Sequence, residues 1–251
     1  MRRLLAKTTT LTSRNIKEII RDPVSLIFMI ALPFFMEILF YFLFHGMTEQ
    51  FEMKFLAPGI VVFSQAFLTL FCGLLIATDR NSSFLTRLYV SDTQSYEFIF
   101  GYALSVIPIA FVQSILFFVV GGLFDASLFG LNMLFAILLS SFFTSLFFIA
   151  FGILFGSICN EKSIGGISSI IITGQSILSG MWFPIEGLDG AMVTIMNVLP
   201  FKNATALIQN TVMGINNVFD DFVVPLLIVL SYTVIAFVVA ILLFRKKMKT
   251  K

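Results

Sequence analysis

Ionisable residues are scarce in this chain. Asp, Glu, Lys and Arg make up 12% of its 251 residues, about half the share of an ordinary soluble domain. There is one histidine, and there are two cysteines. Cys72 and Cys159 lie in apolar runs. Neither they nor His45 have metal-ligand spacing, so no metal site and no redox chemistry is expected. No Gly-x-x-x-x-Gly-Lys-Ser/Thr phosphate loop occurs, and one histidine supports no Ser/His/Asp grouping. The chain is expected to have no catalytic centre, to hold no cofactor and to hydrolyse no ATP by itself. The net charge is only +2, and no nucleic-acid partner is expected.

Apolar residues fill the space. AVILMFWYC account for 58%, 32 residues are Phe, and the mean hydropathy is +1.00. A single 28.1 kDa core could not hide that much apolar surface from water. A soluble domain, a disordered chain and a disulfide scaffold are excluded, and the solvent must be partly lipid. Residues 55–78, 98–124, 126–160, 163–185 and 222–244 carry no charge, and 24–44 is broken once, by Glu37. Each is long enough for a spanning helix. Period-2 alternation is absent, so a barrel is not credible. The expectation is an all-α polytopic membrane protein with six transmembrane helices, at about 24–44, 56–78, 98–121, 131–158, 163–183 and 222–244. Of the 16 Lys and Arg, all but Lys54 and Lys202 fall in 1–23, 79–97, 159–162 and 245–251. That bias places both termini in the cytoplasm. The first 23 residues hold six basic residues and no apolar core, so no cleavable signal is expected.

Residues 9–22 form an amphipathic pattern, with Ile16, Ile19 and Ile20 on one face and Arg14, Lys17, Glu18 and Arg21 on the other. This predicts an interfacial helix in the cytoplasmic headgroup layer. The cytoplasmic loop 79–97 groups Phe84, Leu85 and Leu88 beside Arg80 and Arg87. Apolar residues in such a loop want a covering surface, either the membrane or another protein. In the fifth span Gly166, Ser169, Thr173, Ser176 and Gly180 share a face at spacings of 3 and 4. The fourth span has a weaker row, Ser141, Ser145, Gly152 and Gly156. Small residues let membrane helices approach closely; the neighbour is a helix of the same chain, a second subunit or a translocation path. Ile171 is expected on the opposite, lipid-facing side. Residues 190–201 are apolar but too short to span, and 203–213 follow with Ala204, Leu207, Ile208 and Val212 on one face. An external re-entrant region before the last span is expected. Glu37 is an intramembrane acid, to be explained by snorkelling, local pairing or a substrate or proton role.

Three features together resemble the ABC-2 type permease family, the membrane subunits of one class of ABC exporters. The first is Arg14-Asn15 followed by Arg21-Asp22-Pro23 and Pro33. The second is Thr86-Arg87-Leu88 with Ser91, similar to the family's T-L-E-R-L-L-V-S/T-P. The third runs from Gly180 through Trp182 and Pro184 to Glu186, similar to G-x-x-F-P-x-E ahead of the re-entrant region. The chain departs from the pattern at Asp79-Arg80-Asn81, Asp92 and Leu188-Asp189. The resemblance implies one ABC-2 transmembrane domain over 1–251, in a bacterial plasma membrane. It implies a separate ATP-binding cassette subunit carrying ATP and Mg, and a second permease subunit, identical or not. It also implies a coupling loop at Arg80, Phe84, Leu85, Arg87 and Leu88. No loop is large enough for a substrate-capture domain, which suits export. An ion-coupled secondary transporter, or a membrane scaffold or immunity protein, would be the other readings. The first would need more intramembrane ionisable groups or paired repeats with broken helices.

Overall fold

The computed structural model describes residues 2–82, 95–183 and 185–249, and no strand occurs among them. Helix α1 is Arg2–Ile20, longer than expected and ending just before Pro23. Pro23 opens α2, Pro23–Phe44, at the first-turn position where its missing N–H costs nothing. Helices α3 (Met53–Asn81) and α4 (Ser95–Phe124) follow. The fourth span is α5 (Leu131–Leu139), a π-helical turn (Ser140–Thr144) and α6 (Ser145–Ile158). Then come α7 (Glu161–Leu178), α8 (Gly190–Val198), α9 (Pro200–Met213), a second π turn (Val218–Val223) and α10 (Val224–Lys249).

Backbone hydrogen bonds cannot be left to lipid, and the Pro33 site shows one way they are met. Pro33 has no N–H for the Met29 carbonyl, and Gln113 Nε2 of α4 approaches that oxygen at 3.5 Å. Asn160 caps α7 by accepting from the Ser163 N–H at 2.9 Å, the usual device for the orphan donors of a helix start.

Among the described residues five helices are long and apolar enough to cross a bilayer, α2, α3, α4, the α5–α6 unit and α10, and the bent α8–α9 pair makes six if it counts as one span. The expected fifth span, α7, is more polar, because its 18 residues include Glu161, Lys162, Gln175 and several Gly, Ser and Thr. At 1.5 Å per residue it is about 27 Å long. It runs antiparallel along α3. A Cβ on Gly73 would lie 3.2 Å from Ile164, and one on Gly59 would lie 3.2 Å from Met181. The α8–α9 pair is bent by 78°. Asn203 Nδ2 holds the bend by donating to the Asn197 and Leu199 carbonyls at 2.9 and 2.8 Å.

Helix α3 is the hub. It packs on α2, α4, α6, α7 and α9, and 83% of its most apolar window is buried. Helices α2 and α10 are the outermost, with 17% and 22% buried. Their outward residues include Phe28, Phe35, Phe42, Leu227, Ile235 and Leu242, the apolar side chains that lipid accepts.

Candidate functional site

The end of the bundle that carries α1 is tied together by charge. Helix α1 turns Thr8, Leu11, Asn15 and Ile19 inward, all buried, and leaves Ile20 exposed. Leu11 sits on Gly101 of α4, and Thr12 Oγ1 donates to the Gly101 carbonyl at 3.3 Å. So α1 is docked on protein, and the expected stripe of Ile16, Ile19 and Ile20 is split between the bundle and the outside. Arg14, expected on the water face, turns in. Its Nη2 donates to Asp79 Oδ1 at 2.7 Å, its Nη1 donates to Asp79 Oδ2, and Nη1 also donates to Asn15 Oδ1 at 3.0 Å. The Tyr102 hydroxyl donates to the same carboxylate. Arg14 also pairs with Glu18 at 2.6 Å. Asp79 is 2% exposed and the Arg14 side chain 33%.

A bidentate Arg–carboxylate pair is among the stronger polar contacts. Removing one partner of a fully buried pair costs about 3–5 kcal/mol, and less where one side chain still reaches water. Burial works to lower the Arg14 pKa, but hydrogen bonding and attraction to Asp79 win and hold it above the ordinary value. Burial and the Asp79 charge push the Glu18 carboxyl up, against the pull of Arg14. The next residue of α3, Arg80, serves a different neighbour. Its Nη1 donates to the Gly156 and Cys159 carbonyls at 2.8 and 2.9 Å, at the end of α6 where carbonyls lack intrahelical donors.

Midway along the bundle a polar network joins three spans. Gln65 Nε2 donates to Ser114 Oγ at 3.2 Å, and Ser140 Oγ to Ser114 Oγ at 2.9 Å. Thr144 Oγ1 donates to Gln65 Oε1 at 2.5 Å, and Thr69 Oγ1 to the Phe148 carbonyl at 3.0 Å. Glu37 neither snorkels nor pairs. It is fully buried beside Gly121 of α4, and neither carboxyl oxygen has a hydrogen-bond partner among the described residues.

The two rows of small residues go to different places. The fourth-span row is buried in the α3–α6 seam. A Cβ on Gly152 would lie 2.8 Å from the Thr69 carbonyl oxygen, and one on Gly156 would lie 2.7 Å from that of Gly73. In α7 the packed face is Ile164, Ser168, Ile171 and Gln175. Gly166, Ser169 and Thr173 are exposed, and Ser176 and Gly180 half-buried. The first three residues of the row therefore face away from the chain's own bundle, while Ser176 and Gly180 lie against it. Ile171, expected to face lipid, is on the packed side. Gln175 Nε2 donates to Thr205 Oγ1 of α9 at 2.8 Å. Trp182 Nε1 donates to Ser176 Oγ at 2.9 Å, and its ring lies 4.5 Å from that of Phe40. Of the remaining candidates, Phe84, Leu85, Arg87, Leu88 and Pro184 lie outside the described residues. Glu186 falls in the short 3-10 turn Ile185–Gly187. The Arg14–Asp79–Tyr102 cluster was not visible in the sequence, although Asp79-Arg80-Asn81 stood out there as a departure from the expected run.

These features define a multi-pass α-helical membrane protein built round one central helix, with a docked N-terminal helix and a bent helix pair before its last span. The chain belongs to the ABC-2 type transporter family, whose model matches residues 6–213, from α1 through α9. It is thus a membrane component of the ABC transporter permease class. No curated relative matches the chain.

Proposed function

We propose that this chain is the permease subunit of an ABC exporter. It works as a dimer and is driven by ATP hydrolysed on a separate ATP-binding cassette subunit. One observation carries the reading: the exposed face of α7, with Gly166, Ser169 and Thr173, against outward faces of α2 and α10 rich in Phe, Leu, Ile and Val. Helix α3 is buried along most of its length, which favours a path between subunits over one through a single bundle. A weakly polar face that admits close helix approach suits a second subunit or a path between two subunits. Six spans follow if α7 crosses beside α3, with α8–α9 as the re-entrant pair on the outer side. Leu85 and its neighbours in 79–97 are the proposed contact with the ATP-binding subunit.

The test uses size-exclusion light scattering and co-purification. Thr173→Trp is expected to leave the subunit's melting temperature near wild type and to abolish the dimer. Ile171→Trp overpacks the buried face of α7 and is expected to lower the melting temperature, since such insertions cost about 1–3 kcal/mol or more. Leu85→Asp is expected to lose the ATP-binding subunit while the chain still inserts. A Thr173→Trp chain that stays dimeric removes α7 from the interface. Failure of the wild type to co-purify with any ATP-binding subunit removes the ATP-driven reading.

A further inference from the structure

We propose that Asp79 and Arg80 form a double joint at the cytoplasmic end of α3, by which α1, α3 and the corner between α6 and α7 move as one body. Asp79 is the positioning residue for α1. The inference concerns these residues and their geometry; only its ATP-dependent consequence rests on the permease reading above.

Successive helix residues point about 100° apart, so one turn of α3 can serve two neighbours. Asp79 takes three donor bonds, two from Arg14 of α1 and one from Tyr102 of α4, in a site only 2% exposed. Arg80 donates twice to carbonyls at the end of α6. The chain then turns at Asn160, whose side chain caps α7. The path from α1 to the start of α7 therefore passes through two adjacent side chains.

The alternative home for α1 is the headgroup layer, which its apolar face and basic residues would also suit. Apolar burial alone decides weakly between them, since Leu11 and Ile19 leave water in either place. The ion pair does discriminate. Asp79 lies inside the bundle, and leaving it without Arg14 strands a buried charge. A buried pair adds little to net stability but fixes which surfaces meet, and here it fixes α1 to α3. Through Arg80 the same turn reaches α7, which carries the outward row of small residues.

Hydrogen exchange on the full-length chain in nanodiscs tests the joint. Asp79→Asn is expected to raise exchange of α1 amides over 8–20 by about ten- to a hundredfold, the loss of hydrogen bonds to a charged group. The α8–α9 amides are expected to stay at wild-type rates. Tyr102→Phe, a milder change should Asp79→Asn fail to fold, gives a smaller rise in the same amides. Asp79→Glu is expected to restore most of the protection. Arg80→Gln is expected to raise exchange over 156–164 and to leave α1 alone. A rise spread evenly over the chain, or none in α1, overturns the proposal. With an ATP-binding subunit bound, ATP is expected to change α1 exchange in the wild type and not in Asp79→Asn. An ATP response at the end of α3 with α1 unmoved overturns the joint and leaves the permease reading intact. If no ATP-binding subunit co-purifies, the permease reading falls and the first set of variants still decides the joint.

Discussion

Glu18 stands between opposing charges. Burial and Asp79 push its carboxyl up, and Arg14 at 2.6 Å offsets only part of that. A carboxyl whose folded pKa lies above its ordinary value of 4.5 binds its proton more tightly in the folded state. Its contribution is complete below that ordinary value and is lost as pH rises through the folded one. Glu18→Gln should therefore raise the melting temperature at pH 7 relative to wild type, with the difference vanishing near pH 4. Thermal unfolding in detergent at the two pH values checks the sign. At this scale the sequence was partly legible. The Arg14–Glu18 pair is four residues apart and could be anticipated from helix spacing. The Arg14–Asp79 pair is 65 residues apart, and nothing local marks it. Charges flanking spans look alike whether they face water or one another. Glu37 was legible as an intramembrane acid, but its lack of a hydrogen-bond partner among the described residues depends on which part of α4 lies opposite.

Two rows of small residues with similar spacing show what a helix pattern can and cannot say. Spacing defines a face; it does not say which neighbour meets it. The row ending at Gly156 meets the α3 backbone, whereas a Cβ on Gly166 would meet nothing within 4 Å among the described residues. Gly156→Ala should lower subunit stability by about 1–3 kcal/mol, because the new methyl would meet a carbonyl that cannot swing aside. Gly166→Ala should leave it equal or slightly higher, since Ala is the better helix former by about 1 kcal/mol. Denaturant titration of the two purified variants checks the pair. An equal loss in both would mean that the Gly166 face of α7 also packs against its own chain. Element boundaries were less legible than element types. Pro23 marked the break after α1, whereas the π turn at Ser140–Thr144 interrupts an apolar run that reads as one regular helix.

At the scale of the whole molecule the span pattern was legible, because lipid forces helices and charge marks their ends. The exception is α7, whose residues serve neighbours more than lipid and so look less like a span. The expected orientation has both termini in the cytoplasm. In a chain with Cys72 and Cys159 replaced, a cysteine placed after Lys251 should resist an impermeant maleimide on intact cells, and one at Gly130 should react. The opposite result would invert the topology. The hub position of α3 also has a consequence for how the chain is made. Its Gln65 and Thr69 are held by Thr144 and Phe148, each 79 residues further on. At a synthesis rate of about 5–20 residues per second, those partners arrive roughly 4–16 s later. For those seconds a nascent span waits with the Gln65 amide oxygen and the Thr69 hydroxyl lacking these partners, in the insertion machinery or beside it. The segment most enclosed in the finished subunit is the one that depends longest on shelter during biogenesis.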